Sequence, residues 1–319
     1  MTPPPALRIG TRASLLARTQ TDWVAARLRE FGVAVTIQTI TTVGDEQGDR
    51  PVPAIGGDGV FVRELEAALL DGRIDAAVHS LKDLPTAETA GLTLACVPPR
   101  ALPFDVLVSR HAGLAALPPG AVVGTSSVRR HMLVRSLRPD VVVRGVRGNV
   151  DSRLGRLDEG AYDALVLAGA GLERLGLEAR ITEVLEPPGF WPAVAQGALV
   201  VQTRAADAAA LAAVAPLDHA ATRAAVAAER SFLAALAGGC LAPIGGWARH
   251  DPEGGLVLGG CVLEDRDGVV HAITAEATAA PDDLPETLGR AVAGSLRASG
   301  ADAMLAAARG AKPAPGKPG

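Results

Sequence analysis

The stretch Val122–Arg153, VVGTSSVRRHMLVRSLRPDVVVRGVRGNVDSR, decides how this chain is read. Val122 and Val123 read as the end of a buried strand, and Gly124-Thr125-Ser126-Ser127 opens a helix. Such a junction offers free backbone N–H groups and hydroxyls to an anion. Arg129 and Arg130 fall in the first turn of that helix, and Arg147 and Arg153 flank a second strand-to-helix junction at Gly148-Asn149. Guanidinium groups gathered near two helix N-termini suit a ligand with more than one carboxylate or phosphate. A solvated basic helix face is the competing reading of the same residues.

Working outward, the charge balance keeps this basic cluster local. A formal net charge of −4 and a pI near 5.9 argue against a general nucleic-acid binder. Lysine occurs only at Lys82, Lys312 and Lys317, so abundant arginine reflects composition, and position rather than number carries the argument. The 319 residues suffice for two or three domains with separate cores. Cys96, Cys240 and Cys261 are odd in number and far apart, which suits a reducing compartment. The N-terminal MTPPPALRIG has no basic segment followed by an apolar one, and no apolar run reaches membrane-spanning length. A cytoplasmic protein is expected, with a disordered tail at Ala311–Gly319 and no metal site.

From the N-terminus, Leu7–Gly10 reads as a strand, and Ser14 as the N-cap of a helix running to Phe31 and stopping at Gly32. Arg12 would then stand at the end of the first strand, at the mouth of an α/β sheet, where such folds bind ligands; an ordinary surface arginine is the alternative. Val33–Thr41 alternates like a half-buried strand. Gly44–Gly59, GDEQGDRPVPAIGGDG, lacks periodicity and exceeds most connections in length, which suggests a mobile lid or a plain disordered loop. After an amphipathic helix at Val60–Leu70, the buried strand Ile74–Val78 delivers His79-Ser80-Leu81-Lys82-Asp83 to the sheet edge. A strand-end carboxylate at Asp83, beside Lys82, can be tuned as an acid or base by burial and neighbours. Its spacing equally suits an N-cap or loop aspartate. His79, closing a buried strand, reads as a satisfied core histidine.

Pro98–Pro103 reads as a hinge into a second α/β unit, with strands at Asp105–Val108, Val122–Val123, Val141–Arg144 and Ala164–Ala168. Gly189–Gly197, GFWPAVAQG, leads to the strand Ala198–Gln202, which returns to the first unit. Two α/β lobes joined by two crossing segments form the pattern of hinged binding proteins, and alternating helices with β-branched strands favour parallel sheets. From Ala205 an alanine-rich helical region runs to Gly238-Gly239, followed by strands at Trp247–Arg249, Leu256–Leu263 and Val269–Ala275 and a final helix from about Asp283. Cys240 lies in a glycine-flanked turn beside Pro243, where its sulfur would be accessible; a buried, inert thiol is the alternative. Cys96 closes a predicted strand and Cys261 lies in a predicted hairpin, so both read as structural.

The blocks TRAS, HSLKDLP, GTSSVRR, RGNVDSR, AGLERLG, AVAQGAL and GGCLAPIG, in this order over nearly the whole chain, resemble the hydroxymethylbilane synthase family, also called porphobilinogen deaminase. The resemblance implies an enzyme that condenses four porphobilinogen molecules head to tail with release of ammonia. It also implies a dipyrromethane primer attached through a thioether to Cys240. By the same resemblance Asp83 is the catalytic carboxylate, and Arg130, Arg147, Arg153, Lys82, Ser127 and Thr125 hold the primer. Arg12, Arg129, Arg153, Arg174, Ser14, Ser80 and Gln196 bind substrate. Arginine suits dicarboxylate pyrroles because its planar fork binds carboxylate bidentately and stays charged. One departure stands out: the loop before Phe61 carries Asp58 where the family pattern is basic. The expected fold is two hinged, periplasmic-binding-protein-like α/β domains (1–98 with 198–215, and 99–197) plus a small C-terminal α+β domain (216–310). The expected partner is porphobilinogen, with no nucleic acid or membrane, and a monomer is expected. A non-catalytic binding protein for an anionic small molecule, on the same hinged fold, is the reading from another class; it would need the arginines but neither Asp83 nor Cys240.

Overall fold

Short runs rich in β-branched residues form the strands, and they gather into three sheets. In the computed structural model, which describes residues 6–41, 62–239 and 242–310, the chain forms two compact units, Met1–Ala101 with Gly197–Arg223 and Leu102–Gln196 with Ala224–Gly319. The expected lid Gly44–Gly59 with Asp58, the cysteine Cys240 and the tail from residue 311 lie outside the described residues.

The first unit is built on a five-stranded sheet of β1 (Leu7–Thr11), β2 (Val35–Thr39), β3 (Ala76–Ser80), β4 (Leu92–Cys96) and β10 (Leu199–Arg204), in the order β2-β1-β3-β10-β4. Strand β1 runs parallel to β2, from Leu7 opposite Val35 to Thr11 opposite Thr39, and parallel to β3. β10 is antiparallel to both of its neighbours. The helix Leu15–Glu30 lays Val24, Ala25 and Leu28 on one face of the sheet. The helix Arg63–Leu70 lays Leu65, Ala68 and Leu69 with Ile74 and Ala77 in a second core. Gly10 is required where β1 passes beneath that core, because a Cβ there would collide with Ile74 and Leu65. At the far end of the strand Arg8 grips Asp75 through Nε and Nη2 at 2.9 and 2.7 Å, and Arg204 adds a third contact at 3.0 Å.

The second unit also holds a five-stranded sheet with one antiparallel strand next to last in the order. β5 (Asp105–Ser109), β6 (Val122–Gly124), β7 (Val142–Arg144), β8 (Ala164–Ala168) and β9 (Glu183–Leu185) form a sheet ordered β7-β6-β8-β5-β9. β6 is parallel to β7 and β8, whereas β5 is antiparallel to β8 and β9. Each sheet is therefore mixed rather than parallel. In both, one strand runs against the direction of the others: β10, from the separate segment Gly197–Arg223, in the first unit, and β5, which opens the segment Leu102–Gln196, in the second. The short strand β9 carries no signal in the sequence; three residues are too few to show a period.

The same unit holds the antiparallel sheet β11 (Ile244–His250), β12 (Leu256–Arg266) and β13 (Val269–Ala279), covered by the helices Pro285–Ala298 and Ala301–Gly310. The expected single last helix is thus two, broken where Gly300 takes a φ of +101°. Gly245 and Gly259 leave room for Trp191, whose ring and Cβ occupy the space a side chain would fill. Gly246 and Gly260 do the same for Phe232 of the helix Ala220–Ala235. Trp191, Phe190, Cys261 and Leu263 thereby join the cores of the two sheets of this unit. Arg135 Nη2 donates to Gly268 O at 2.6 Å, and its Nη1 pairs with Asp265, pinning the β12–β13 hairpin to the helix Val128–Leu137. Cys96 and Cys261 are both fully buried, and burial pushes each thiol up to about 12.

Candidate active site

Ligands of α/β sheets bind at the carboxyl ends of the strands, and topology alone brings the expected residues of each unit there. In the first unit β1 and β3 are parallel neighbours, so the turns leaving them emerge at one edge: Arg12 and Ser14 after β1, and Ser80–Asp83 after β3. Ser14 caps the helix Leu15–Glu30, its hydroxyl accepting the Ala17 N–H at 3.4 Å. The Ser80 hydroxyl is paired with the Gln20 side chain, whose Nε2 lies 3.0 Å away. Leu81–Asp83 forms a single 3-10 turn, anchored by Leu81 N–H on Ala198 O at 3.0 Å. Lys82 and Asp83 are half-buried, and among the described residues no hydrogen bond or ion pair engages the Asp83 carboxylate. That leaves it available for chemistry rather than committed to the fold. His79 is buried, as a core histidine would be; its Nε2 has no hydrogen-bond partner among the described residues, while a hydrogen bond with the Gln202 side chain engages the ring. Burial pulls its ring down to about 4 against the opposing Gln202 hydrogen bond, with a smaller push from the Arg12 charge, so His79 is neutral.

In the second unit three parallel strands end side by side. β6 is followed by Thr125–Arg130, β7 by Arg147–Arg153 and β8 by Gly169–Arg174. Ser127 caps the helix Val128–Leu137, its hydroxyl accepting the Arg130 N–H at 3.4 Å, while Thr125 Oγ1 accepts the Ser127 N–H at 3.3 Å. Ser126, which carries no signal of its own in the sequence, joins the first two junctions. Its hydroxyl donates to Val146 O at 2.7 Å and accepts the Val146 N–H at 3.1 Å. The two arginine-bearing turns are therefore fixed against each other.

The arginines divide into two kinds. Arg129 and Arg130 are buried and paired with Asp105: Arg129 Nη1 lies 2.7 Å from Oδ2, and Arg130 Nε 2.8 Å from Oδ1. Gln196 is fully buried in the same group, its Nε2 donating to Asp105 Oδ1 at 3.0 Å and to Pro103 O at 2.9 Å. Arg147 and Arg153 are half-buried without an acidic partner among the described residues. Arg153 reaches only a carbonyl, Gly148 O, through Nε at 2.8 Å. Burial, with the nearby charges of Arg130, Arg147 and Arg156, pulls the Arg153 guanidinium down to about 10. Burial likewise lowers Arg147, and takes Arg174, at the end of the third junction, down to about 10. Arg130, Arg147, Arg153 and Arg156 thus form a group of neighbouring, partly desolvated cations, an arrangement that suits a multiply charged anion.

Two acids essential to this geometry had no signal in the sequence. Asp105 reads there only as the start of a valine-rich strand. Glu229 is a lone acid in an alanine run; fully buried, its Oε1 accepts the Ala248 N–H at 2.8 Å and its Oε2 the Ala195 N–H at 2.5 Å. The second bond holds Ala195 at a φ of 59°, next to Gln196.

An α/β protein with an uncommitted carboxylate after one strand of its first unit, and neighbouring arginines after two parallel strands of its second, has the features of a class suited to multiply charged anions. A family described as the dipyromethane cofactor binding domain of porphobilinogen deaminase matches residues 7–212, and that enzyme's C-terminal domain matches residues 223–298. The chain is 48% identical over 303 residues to the porphobilinogen deaminase of Roseiflexus castenholzii, covering 94% of this chain and 98% of the relative. It is 46% identical over 312 residues to that of Bordetella parapertussis, covering 97% and 98%. Among solved structures it is similar to a nutrient-binding protein from Burkholderia cenocepacia, with a TM-score of 0.40, 14% identity, and coverage of 66% of this chain and 90% of the other. The chain belongs to the porphobilinogen deaminase family.

Proposed function

We propose that this chain condenses four porphobilinogen molecules into the linear tetrapyrrole hydroxymethylbilane, releasing ammonia at each addition. A dipyrromethane primer is held as a thioether on Cys240. The observation that carries this reading is the Arg153 environment, a desolvated guanidinium among three others and, among the described residues, without a carboxylate partner. Each pyrrole unit brings two carboxylates, so a short pyrrole chain supplies the charge this cluster lacks. The residues present fit such a group: Arg130, Arg147 and Arg153 would hold its carboxylates, with Thr125, Ser127 and Lys82 as further polar contacts. When bound, the primer supplies the free pyrrole carbon from which the chain grows.

The remaining chemistry falls to the chain's own groups. Asp83 assists the C–N bond of the aminomethyl group to break, so that ammonia leaves, and as a carboxylate accepts the pyrrole N–H while positive charge develops. Arg12, Arg129, Arg174, Ser14, Ser80 and Gln196 orient the incoming porphobilinogen, directly or through the groups they hold. A thioether does not hydrolyse, so Cys240 keeps its primer through repeated cycles. The reading includes three domains, each with its own sheet, in a cytoplasmic monomer that uses neither nucleic acid nor a membrane. No helix among the described residues is long and apolar enough to cross a membrane.

Intact-protein mass spectrometry tests the reading. Active protein should carry a mass excess of two deaminated porphobilinogen units, mapped to the peptide Leu233–Arg249. Cys240→Ser should lose both adduct and activity. Cys96→Ser and Cys261→Ser should keep both, because thiols pushed up to about 12 are protonated near neutral pH and unreactive. Full activity with an unmodified Cys240 would overturn the primer mechanism.

A further inference from the structure

Asp105 opens β5, the strand that enters its sheet against the direction of β8. Because the two are antiparallel, the first residue of β5 pairs with the last of β8, Asp105 with Ala168. An acid is thereby delivered to the edge where the parallel strands present their arginines. The carboxylate is fully buried and receives three side chains: Arg129 at 2.7 Å, Arg130 through Nε and Nη2 at 2.8 and 2.7 Å, and Gln196 at 3.0 Å. Two guanidiniums thus share one carboxylate, and the group retains one positive charge. Arg130 Nη1 and Nη2 are further tied to Val166 O and Gln196 Oε1, at 3.2 and 3.3 Å, and Arg129 Nη1 to Trp191 O at 2.5 Å. The Nε and Nη2 donors of Arg129 have no partner among the described residues.

We propose that Asp105 is a positioning residue for the anion site: it holds Arg129 and Arg130 side by side, and a carboxylate of the bound pyrrole chain is the second anion their two charges require. The inference rests on the proposed activity for the identity of that second anion. Without Asp105, two buried like charges at short range would repel and turn away from each other, and the donors would lose their common direction. Burial and its two guanidinium neighbours act on Asp105 in opposite senses; the neighbours prevail and hold its carboxyl well below the usual carboxylate range.

The test uses Asp105→Asn, of equal size, assayed on the folded full-length protein. Relative to wild type, we expect KM for porphobilinogen to rise about tenfold or more with kcat within about threefold. Primer loading by intact mass should slow, and the affinity of primer-free protein for inorganic pyrophosphate, titrated calorimetrically, should fall about tenfold or more. A purely structural aspartate would lower the melting temperature and leave KM and pyrophosphate affinity unchanged in the folded fraction; that result would overturn the inference. If Asp105→Asn does not fold, Asp105→Asn with Arg129→Met removes the surplus cation and should fold with a KM above that of Arg129→Met alone. A KM in that double variant no higher than that of Arg129→Met would overturn the inference, as would failure of both variants to fold. A wild type that releases no ammonia would defeat the proposed activity instead, and the pyrophosphate titration would still decide on Asp105.

Discussion

Replacing Arg153 with methionine should leave the primer-free protein as stable as wild type, or more so, while crippling its function. The side chain is half-buried, and burial with three neighbouring guanidiniums draws it from its ordinary value down to about 10. Keeping such a group charged at neutral pH costs about 3 kcal/mol, an upper bound that partial exposure reduces to roughly 1–2 kcal/mol. Methionine retains most of the apolar stem, so the main loss is the 2.8 Å bond from Nε to Gly148 O, about 1 kcal/mol. The balance lies between zero and about 1 kcal/mol in favour of Arg153→Met, a melting temperature unchanged or raised by about 2 °C in a chain of this size. Differential scanning calorimetry of the primer-free protein measures it. Added phosphate should raise the melting temperature of wild type more than that of the variant, since an anion that binds only the folded state stabilises it by mass action. Primer loading, followed by intact mass, should slow about tenfold or more. A drop in melting temperature beyond about 4 °C would refute the reasoning, because Arg153 would then be serving the fold.

Asp83→Asn should fold with an unchanged melting temperature, since no described contact depends on its carboxylate, and should lose most ammonia release; near-normal turnover would remove it from catalysis. Arg147→Leu should impair primer loading or elongation, whereas Arg290→Leu, exposed on the helix Pro285–Ala298, should not; equal effects would mean that general electrostatics had been mistaken for a site. Asp75 should make stability acid-sensitive. Its hydrogen bonds to Arg8 hold the carboxyl down to about 2, so below pH 4 the unfolded chain takes up the proton first and stability falls as pH drops toward 2. Comparing urea denaturation at pH 3 and pH 6, Asp75→Asn should lose about 1 kcal/mol of the wild-type difference; an identical difference would remove Asp75 as a cause.

The local pattern of the chain determined much of this protein. Short valine-rich runs, a capping serine at Ser127 and glycine stops marked most strands and helices, because such signals act within a few residues. The ordered blocks around Asp83, Arg130, Arg147 and Cys240 marked the family, and the shortage of lysine made arginine placement the informative feature. Tertiary structure alone decided how those arginines differ. Arg129 and Arg130 sit in the same helical turn as an ordinary basic face would, yet they are buried on Asp105, about 25 residues earlier in the chain and delivered by an antiparallel strand. Arg147 and Arg153, close in sequence to them, have no acidic partner among the described residues. Neither the direction in which β5 enters its sheet nor its register against β8 is written in any local period. Both depend on which segments meet across the sheet, and that is set by the packing of the whole unit.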